Sequence, residues 1–314
     1  MEKLVAIVGP TATGKSAVSI NLAQMLATEI ISADSMCVYR GLDVGTAKPS
    51  LSERQMVRHH LIDILEPTAE YSVAQFVRLA RALITELNKR GMVPILAGGT
   101  GLYVKALLEN YHFEPCGQDL ALRRYLEEKA EKIGTTGLFA ELEKILPTAA
   151  QRIHPNDRRR IIRALEIYYS TGNPVLYPKR DAGLAYDCAV IGLTMERELL
   201  YNRINQRVDA MLRNGLVEEV ATLLSRGIPP DCQAFQGIGY KEVVPYAMGK
   251  VSDLASISEQ IKKNTRNFAK RQFTWFRSMP YITWMMLDGR EPPGQVAAMI
   301  YDRLKTTHLL RTDL

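Results

Sequence analysis

The chain has 314 residues, 46% of them apolar and 24% charged, with a formal net charge of +6. That suits a soluble globular protein long enough for a full core and more than one domain. No apolar run approaches the ~20 residues that span a bilayer, which excludes a membrane-spanning helix, and the modest positive excess permits an acidic partner without demanding one.

KLVAIV (3–8) reads as a buried strand, followed by the glycine loop GPTATGKS and a helix from Lys15 to Ala27. TEIISA (28–33) reads as a second strand ending at Asp34, and HHLIDI (59–64) as a short third. Residues 72–91 form an amphipathic helix with Val73, Phe76, Val77, Ala80, Leu83, Ile84 and Leu87 on one face, Ser72 as cap and Gly91 as stop. MVPILAGG (92–99) is another buried strand with a glycine turn. Strands alternating with helices predict a parallel sheet covered on both faces, an α/β fold.

Residues 115–187 change character. They hold no convincing strand, and helices are expected over Arg123–Ile133, Leu138–Leu146 and Asn156–Ser170, so this stretch reads as an all-helical insertion between core segments 1–114 and 188–314. Strand character returns at 188–195. A long helix follows over Arg197–Arg226, then the loop QGIGYKE (236–242), a helix over Ser256–Arg277, a strand at 281–287 and a last helix over Gln295–Leu304. Cys37, Cys116, Cys188 and Cys232 form no C-x-x-C pair and read as scattered reduced thiols. A strand at the very start of the chain argues against a secretory leader, and a cytoplasmic location is expected.

GPTATGKS, Gly9 to Ser16, fits G-x-x-x-x-G-K-S between a strand and a helix. Loop amides and the helix N-terminus would hold phosphate oxygens, Lys15 would reach the terminal phosphates, and Ser16 would help hold Mg²⁺. Asp34 ends a strand at the edge where open α/β sheets carry their sites. It could be a metal ligand, a general base or the cap of a following turn. Asp63 reads as structural. Thr100, in GGTG (98–101), either projects a hydroxyl at the same edge or caps the next helix. Arg203 and Arg207, one helical turn apart, either clamp a diphosphate or pair with acids. Arg158–Arg160 with Arg163, and the run from Lys262 to Arg277, offer basic faces fit for a phosphate backbone, with Arg123 and Arg124 adding to them.

Taken in order, GPTATGKS, ISADSMCVYRGLDVGTAKPS, HHLIDILEP, PILAGGTGLYVKALLE, RRRIIRALEIYYSTG, AFQGIGYKE and NTRNFAKRQFTWFR resemble the bacterial tRNA dimethylallyltransferases over nearly the whole chain. The resemblance implies a P-loop-type core with a helical insertion that grips a tRNA anticodon stem-loop. It implies transfer of a dimethylallyl group from dimethylallyl diphosphate to the exocyclic amino group of the adenosine just 3′ of the anticodon, in tRNAs reading codons that begin with U. By the same resemblance Gly9, Pro10, Thr11, Ala12, Thr13, Gly14, Lys15 and Ser16 cradle the diphosphate with Arg203 and Arg207. Asp34 is the base, and Thr100 contacts the target nucleotide. Ser35, Met36, Cys37, Arg123, Arg159, Arg160, Ile161, Ile162, Arg163 and the segment Gln236, Gly237, Ile238, Gly239, Tyr240, Lys241 meet the tRNA. Cys37 stands where many members have Gln, and no C-terminal zinc finger of the eukaryotic kind is present. A monomer is expected. The rival readings are a P-loop kinase of a nucleoside or small metabolite and a non-catalytic RNA-binding protein.

Overall fold

The computed structural model describes residues 1–113, 119–172, 179–180 and 182–310, so Cys116 lies outside the described residues. In chain order the elements are β1 (Lys3–Val8), α1 (Lys15–Met25), β2 (Ile30–Ser32), α2 (Leu51–Met56), β3 (His59–His60), α3 (Val73–Lys89), β4 (Ile95–Gly98) and α4 (Gly101–Leu108). Next come β5 (Tyr111–His112), α5 (Leu120–Ile145), α6 (Pro147–Ala150), α7 (Arg158–Thr171) and β6 (Lys179–Arg180). The chain then continues through β7 (Asp187–Met195), α8 (Arg197–Arg213), α9 (Leu216–Ser225), α10 (Tyr240–Ala247), α11 (Leu254–Arg277), β8 (Ile282–Leu287) and α12 (Pro293–Lys305).

Two compact units result: Met1–Glu109 with Gly183–Leu314, and Asn110–Ala182. In the first, six strands pair in parallel in the order β3-β2-β4-β1-β7-β8. Most apolar side chains of the inner strands are buried because helices cover the sheet, whereas Met286 on the edge strand β8 is exposed. Val5, Ile7, Ile95 and Ile191 pack with Val18 and Leu22 of α1 and Ala297 and Ile300 of α12. This is the P-loop-type α/β arrangement. Its consequence for the site is geometric: β2, β4 and β1 lie side by side and run the same way, so the segments after Ser32, Gly98 and Val8 meet at one edge.

Helix α3 begins as its sequence dictates. The Ser72 hydroxyl accepts from the Gln75 N–H (3.2 Å) while the Gln75 side chain accepts from the Ser72 N–H (2.8 Å), and Gly91 takes the left-handed turn after its end (φ 75°). Elsewhere the elements are shorter than the apolar runs suggest. The expected strand 59–64 stops at His60, because Leu61 and Asp63 adopt left-handed backbone (φ 62° and 55°). The expected helix 197–226 breaks at Gly215 (φ 94°) into α8 and α9. The loop 236–242 is already helical from Tyr240.

The second unit is mainly helical. Helix α5 merges two expected helices across a kink at Gly134 (φ 76°, ψ 164°). Contrary to the expectation of no strand, β5 pairs antiparallel with β6, a two-residue ladder too short to leave a periodic signal. Its core joins Leu126, Leu138 and Leu142 of α5 to Ile161 and Leu165 of α7. At its centre Glu166 is fully buried, with Arg123 and Arg163 each 2.9 Å from its carboxylate.

Candidate active site

The loop after β1 is held in a strained, pre-shaped form. Gly9, Ala12 and Gly14 all have positive φ (138°, 64° and 87°), and a side chain at Gly9 would strike the Leu193 carbonyl. A non-glycine residue such as Ala12 in left-handed backbone costs on the order of 1–3 kcal/mol, which the surroundings must offset. They do so with specific bonds. The Thr13 hydroxyl donates to the Pro10 carbonyl (2.9 Å), and the Lys15 ammonium donates to the same oxygen (2.6 Å). The Thr11 N–H donates to Gln272 Oε1 (2.8 Å), and Gln272 Nε2 donates to the Gly99 carbonyl (2.9 Å).

Gln272 therefore ties the phosphate loop to the turn after β4. It is only 6% exposed, on a helix whose sequence reads chiefly as basic and aromatic. A polar residue on the buried face of α11 was the available signal, and charge patterning overlooks it. Replacing it removes both bonds and leaves an N–H and a carbonyl without partners. Gln272→Leu is expected to destabilise the protein by about 1–3 kcal/mol and to weaken diphosphate binding, read from thermal melts with and without inorganic diphosphate.

Asp34 lies past β2. Its Oδ1 accepts from the Met36 N–H (2.8 Å) and the Cys37 N–H (3.3 Å), so it caps the turn that follows. The Thr100 hydroxyl makes no cap bond to α4; it accepts instead from the Ser35 N–H (3.2 Å), joining the turns after β2 and β4. One cavity of ≈ 110 Å³ is lined by Thr11, Lys15, Ser16, Asp34, Cys37, Arg207 and Gln272 among others. A more open groove of ≈ 440 Å³ adjoins the same lysine and is lined by Gly14, Ser16, Arg203 and Arg207, with Glu53 as its one acid. Arg207 donates to the Thr46 carbonyl (3.2 Å), and no acid pairs with Arg203 or Arg207 among the described ion pairs.

The electrostatics suit an anion. Burial and the neighbouring Arg207 pull the Lys15 ammonium down to about 7, against the opposing pull of Asp34. Burial likewise lowers Arg207, with Asp34 and Cys37 opposing. Two half-buried cations near each other make the site receptive to an anion. The Cys37 thiol is pushed well up, first by burial and then by Asp34, so it stays protonated.

The remaining sequence-predicted residues divide by exposure. Gln236 and Lys241 are exposed and Ile238 half-buried, but Gly237, Gly239 and Tyr240 are buried. The Tyr240 hydroxyl donates to Glu219 (2.6 Å), so this tyrosine is held inside the protein rather than offered to a ligand. In the second unit Arg159 and Arg160 are exposed, whereas Ile161 and Ile162 are core residues (0% and 5% exposed) that cannot face RNA directly. Arg123 and Arg163 are half-buried against Glu166. Asp63 is structural as expected, bonded to Lys48 (2.6 Å) and Arg54. On α11, Phe276 is core and Phe268 lines the small cavity, while Arg277 stacks over Phe273 at 4.1 Å. Lys263, Lys270 and Arg271 remain exposed.

A family model described as IPP transferase matches residues 37–279. The tRNA dimethylallyltransferase of Geobacillus thermodenitrificans is 50% identical over 90% of each chain. That of Carboxydothermus hydrogenoformans is 51% identical over 90% of this chain and 91% of its own. The crystal structure of the tRNA isopentenylpyrophosphate transferase from Bacillus halodurans superposes with a TM-score of 0.70 at 46% identity, covering 98% of each chain. A eukaryotic dimethylallyltransferase acting on tRNA reaches a TM-score of 0.80 at 29% identity, over 99% of this chain and 81% of its own. With its phosphate loop, strand-end carboxylate and arginine pair gathered at one sheet edge, the chain belongs to the IPP transferase family, the tRNA dimethylallyltransferases.

Proposed function

We propose that the chain transfers a dimethylallyl group from dimethylallyl diphosphate to the exocyclic amino group of the adenosine 3′-adjacent to the anticodon, in cytoplasmic tRNAs reading U-starting codons. The observation that carries this reading is the shared cavity: diphosphate-binding cations and a strand-end carboxylate line the same ≈ 110 Å³ space.

Negative charge gathers on the bridging oxygen as the allylic C–O bond breaks. The loop amides of Gly9 to Ser16, with Lys15, Arg203 and Arg207, stabilise that charge where it develops. Asp34 accepts a proton from the adenine amino group as the new C–N bond forms, and diphosphate departs. Thr100, bonded to the Asp34 turn, orients the base. Arg159, Arg160, Gln236 and Lys241 are the exposed members of the tRNA-binding set. Ser35 and Met36 belong to it beside Asp34, while Ile161, Ile162 and Tyr240 support it from behind. Cys37, buried and protonated, offers the RNA a weaker contact than Gln would. The Ser16 hydroxyl, at the head of α1 in the same cavity as Asp34, fits a Mg²⁺ held mainly by phosphate oxygens and water, since no cluster of three acidic, His or Cys side chains exists among the described residues. When bound, the metal would add charge neutralisation to the departing diphosphate.

The test incubates the protein and Mg²⁺ with an anticodon stem-loop bearing consecutive adenosines, plus dimethylallyl diphosphate or ATP. A five-carbon mass gain on the RNA with the first donor is expected. Phosphate transfer from ATP without prenylation would make the chain a kinase and sink the reading.

A further inference from the structure

The donor pocket has a lip that the phosphate loop does not supply. Thr46 and Ala47 line the small cavity, and Ala47 also lines the groove beside Lys15 and Ser16. Both belong to a turn closed on itself. The Thr46 hydroxyl donates to the Leu42 carbonyl (2.6 Å), the Ala47 N–H to Val44 (3.1 Å) and the Lys48 N–H to Asp43 (3.1 Å). Such internal bonds shape the turn, but they do not fix where it stands over the pocket.

That position is set from elsewhere in the chain. Glu219 Oε2 accepts from the N–H groups of Asp43 and Val44, both at 2.8 Å, and its Oε1 accepts from the Gly45 N–H at 3.4 Å. Successive backbone amides aimed at one point make an anion-binding nest, here filled by a carboxylate from α9. The Tyr240 hydroxyl donates to the same Oε1 at 2.6 Å, and burial followed by the Glu219 charge keeps that phenol protonated and donating. The Tyr240 ring lies flush on Gly45, where an added Cβ would sit 2.5 Å from ring carbons. On the opposite flank Arg207 donates to the Thr46 carbonyl. The turn is thus held between a carboxylate–phenol pair and the arginine of the pocket. Charge-assisted bonds of this kind are about twice as strong as neutral ones.

We propose that Glu219 is a positioning residue for prenyl transfer: with Tyr240 it pins the turn at residues 43–47 and so sets Arg207 and the lip of the diphosphate pocket. This rests on the function proposed above, but it is separable from it, because diphosphate binding is measured without turnover.

The experiment uses the full chain and the variants Glu219→Ala, Glu219→Gln and Tyr240→Phe. Four quantities are read: the Kd for inorganic diphosphate by calorimetry, the KM and kcat for dimethylallyl diphosphate, the Kd for an anticodon stem-loop, and the melting temperature. Glu219→Ala should raise the diphosphate Kd and the donor KM together by about tenfold, leaving kcat within about threefold. Stem-loop affinity should stay within about twofold. Glu219→Gln keeps an acceptor oxygen for the amides and should lie between Ala and wild type, with Tyr240→Phe closer to wild type. An unchanged diphosphate Kd in folded Glu219→Ala overturns the proposal, as does an equal fall in every parameter alongside the melting temperature. If the alanine variant does not fold, the other two variants decide by the same criterion. Wild type that binds diphosphate but prenylates no RNA defeats the proposed function and leaves the clamp standing; normal diphosphate binding in all variants defeats the clamp alone.

Discussion

Asp34→Asn should lower prenyl transfer by about 10²- to 10⁴-fold, the usual contribution of a general base. Anticodon stem-loop binding should stay within about threefold of wild type, and the melting temperature should hardly move. The choice of Asn follows from the geometry. As the proposed base Asp34 would perform two tasks, since its Oδ1 also receives the amides of Met36 and Cys37. An asparagine carbonyl can accept the same two N–H groups but cannot take a proton from an amine. Asp34→Ala removes both functions and should cost about 1 kcal/mol of stability besides, the typical value of such a local cap. Single-turnover assays with both variants separate the tasks. If the Asn variant turns over near the wild-type rate, Asp34 is a turn-former and the base lies elsewhere.

Lys15→Met should weaken diphosphate binding by about 100-fold, as expected for a charge-assisted bond to phosphate lost from a partly buried site. Less obviously, it should stabilise the free protein. Burial brings Lys15 down to about 7 in the folded chain, against 10.5 when unperturbed. The fold therefore disfavours the charged lysine. That penalty is absent above the unfolded value, grows as the pH falls from about 10.5, and is complete below about 7. At neutral pH the methionine variant escapes most of it, and its melting temperature should rise by about 2–5 °C. The gain should shrink toward pH 10. In the wild type, donor affinity should fall by up to about tenfold per pH unit above 7, because the neutral lysine must regain its proton to hold phosphate. Melting curves and diphosphate titrations across pH 6–10 check both signs. A methionine variant that melts lower at pH 7 would refute this account.

These expectations were within reach of the sequence because their residues sit at positions with strong local grammar. Lys15 follows a glycine loop between a strand and a helix, and Asp34 ends an apolar run. Arg203 and Arg207 share a helix face. α3 was legible to within a residue because Ser72 and Gln75 form a complete capping box and Gly91 supplies a left-handed stop. What escaped was decided by tertiary context. Nothing in HHLIDI announces that Leu61 and Asp63 will leave the strand region, and the apolar periodicity runs on past Gly215 where the helix breaks. Ile161, Ile162 and Tyr240 stand among polar or basic neighbours that suggest an RNA surface, yet burial claims them. Gln272, whose polar side chain on a buried helix face was a faint signal, and Glu219 escaped for a further reason. Their partners are mostly backbone amides and carbonyls far along the chain, and a peptide group carries no sequence signature.

The bond between Thr11 and Gln272 joins residues 261 positions apart. On a ribosome adding about 5–20 residues per second, the phosphate loop emerges some tens of seconds before the helix that steadies it. A nascent chain would carry the full G-x-x-x-x-G-K-S pattern without a competent anion site, so partly made enzyme should sequester little donor. Competence would arrive late and in one step, when α11 docks.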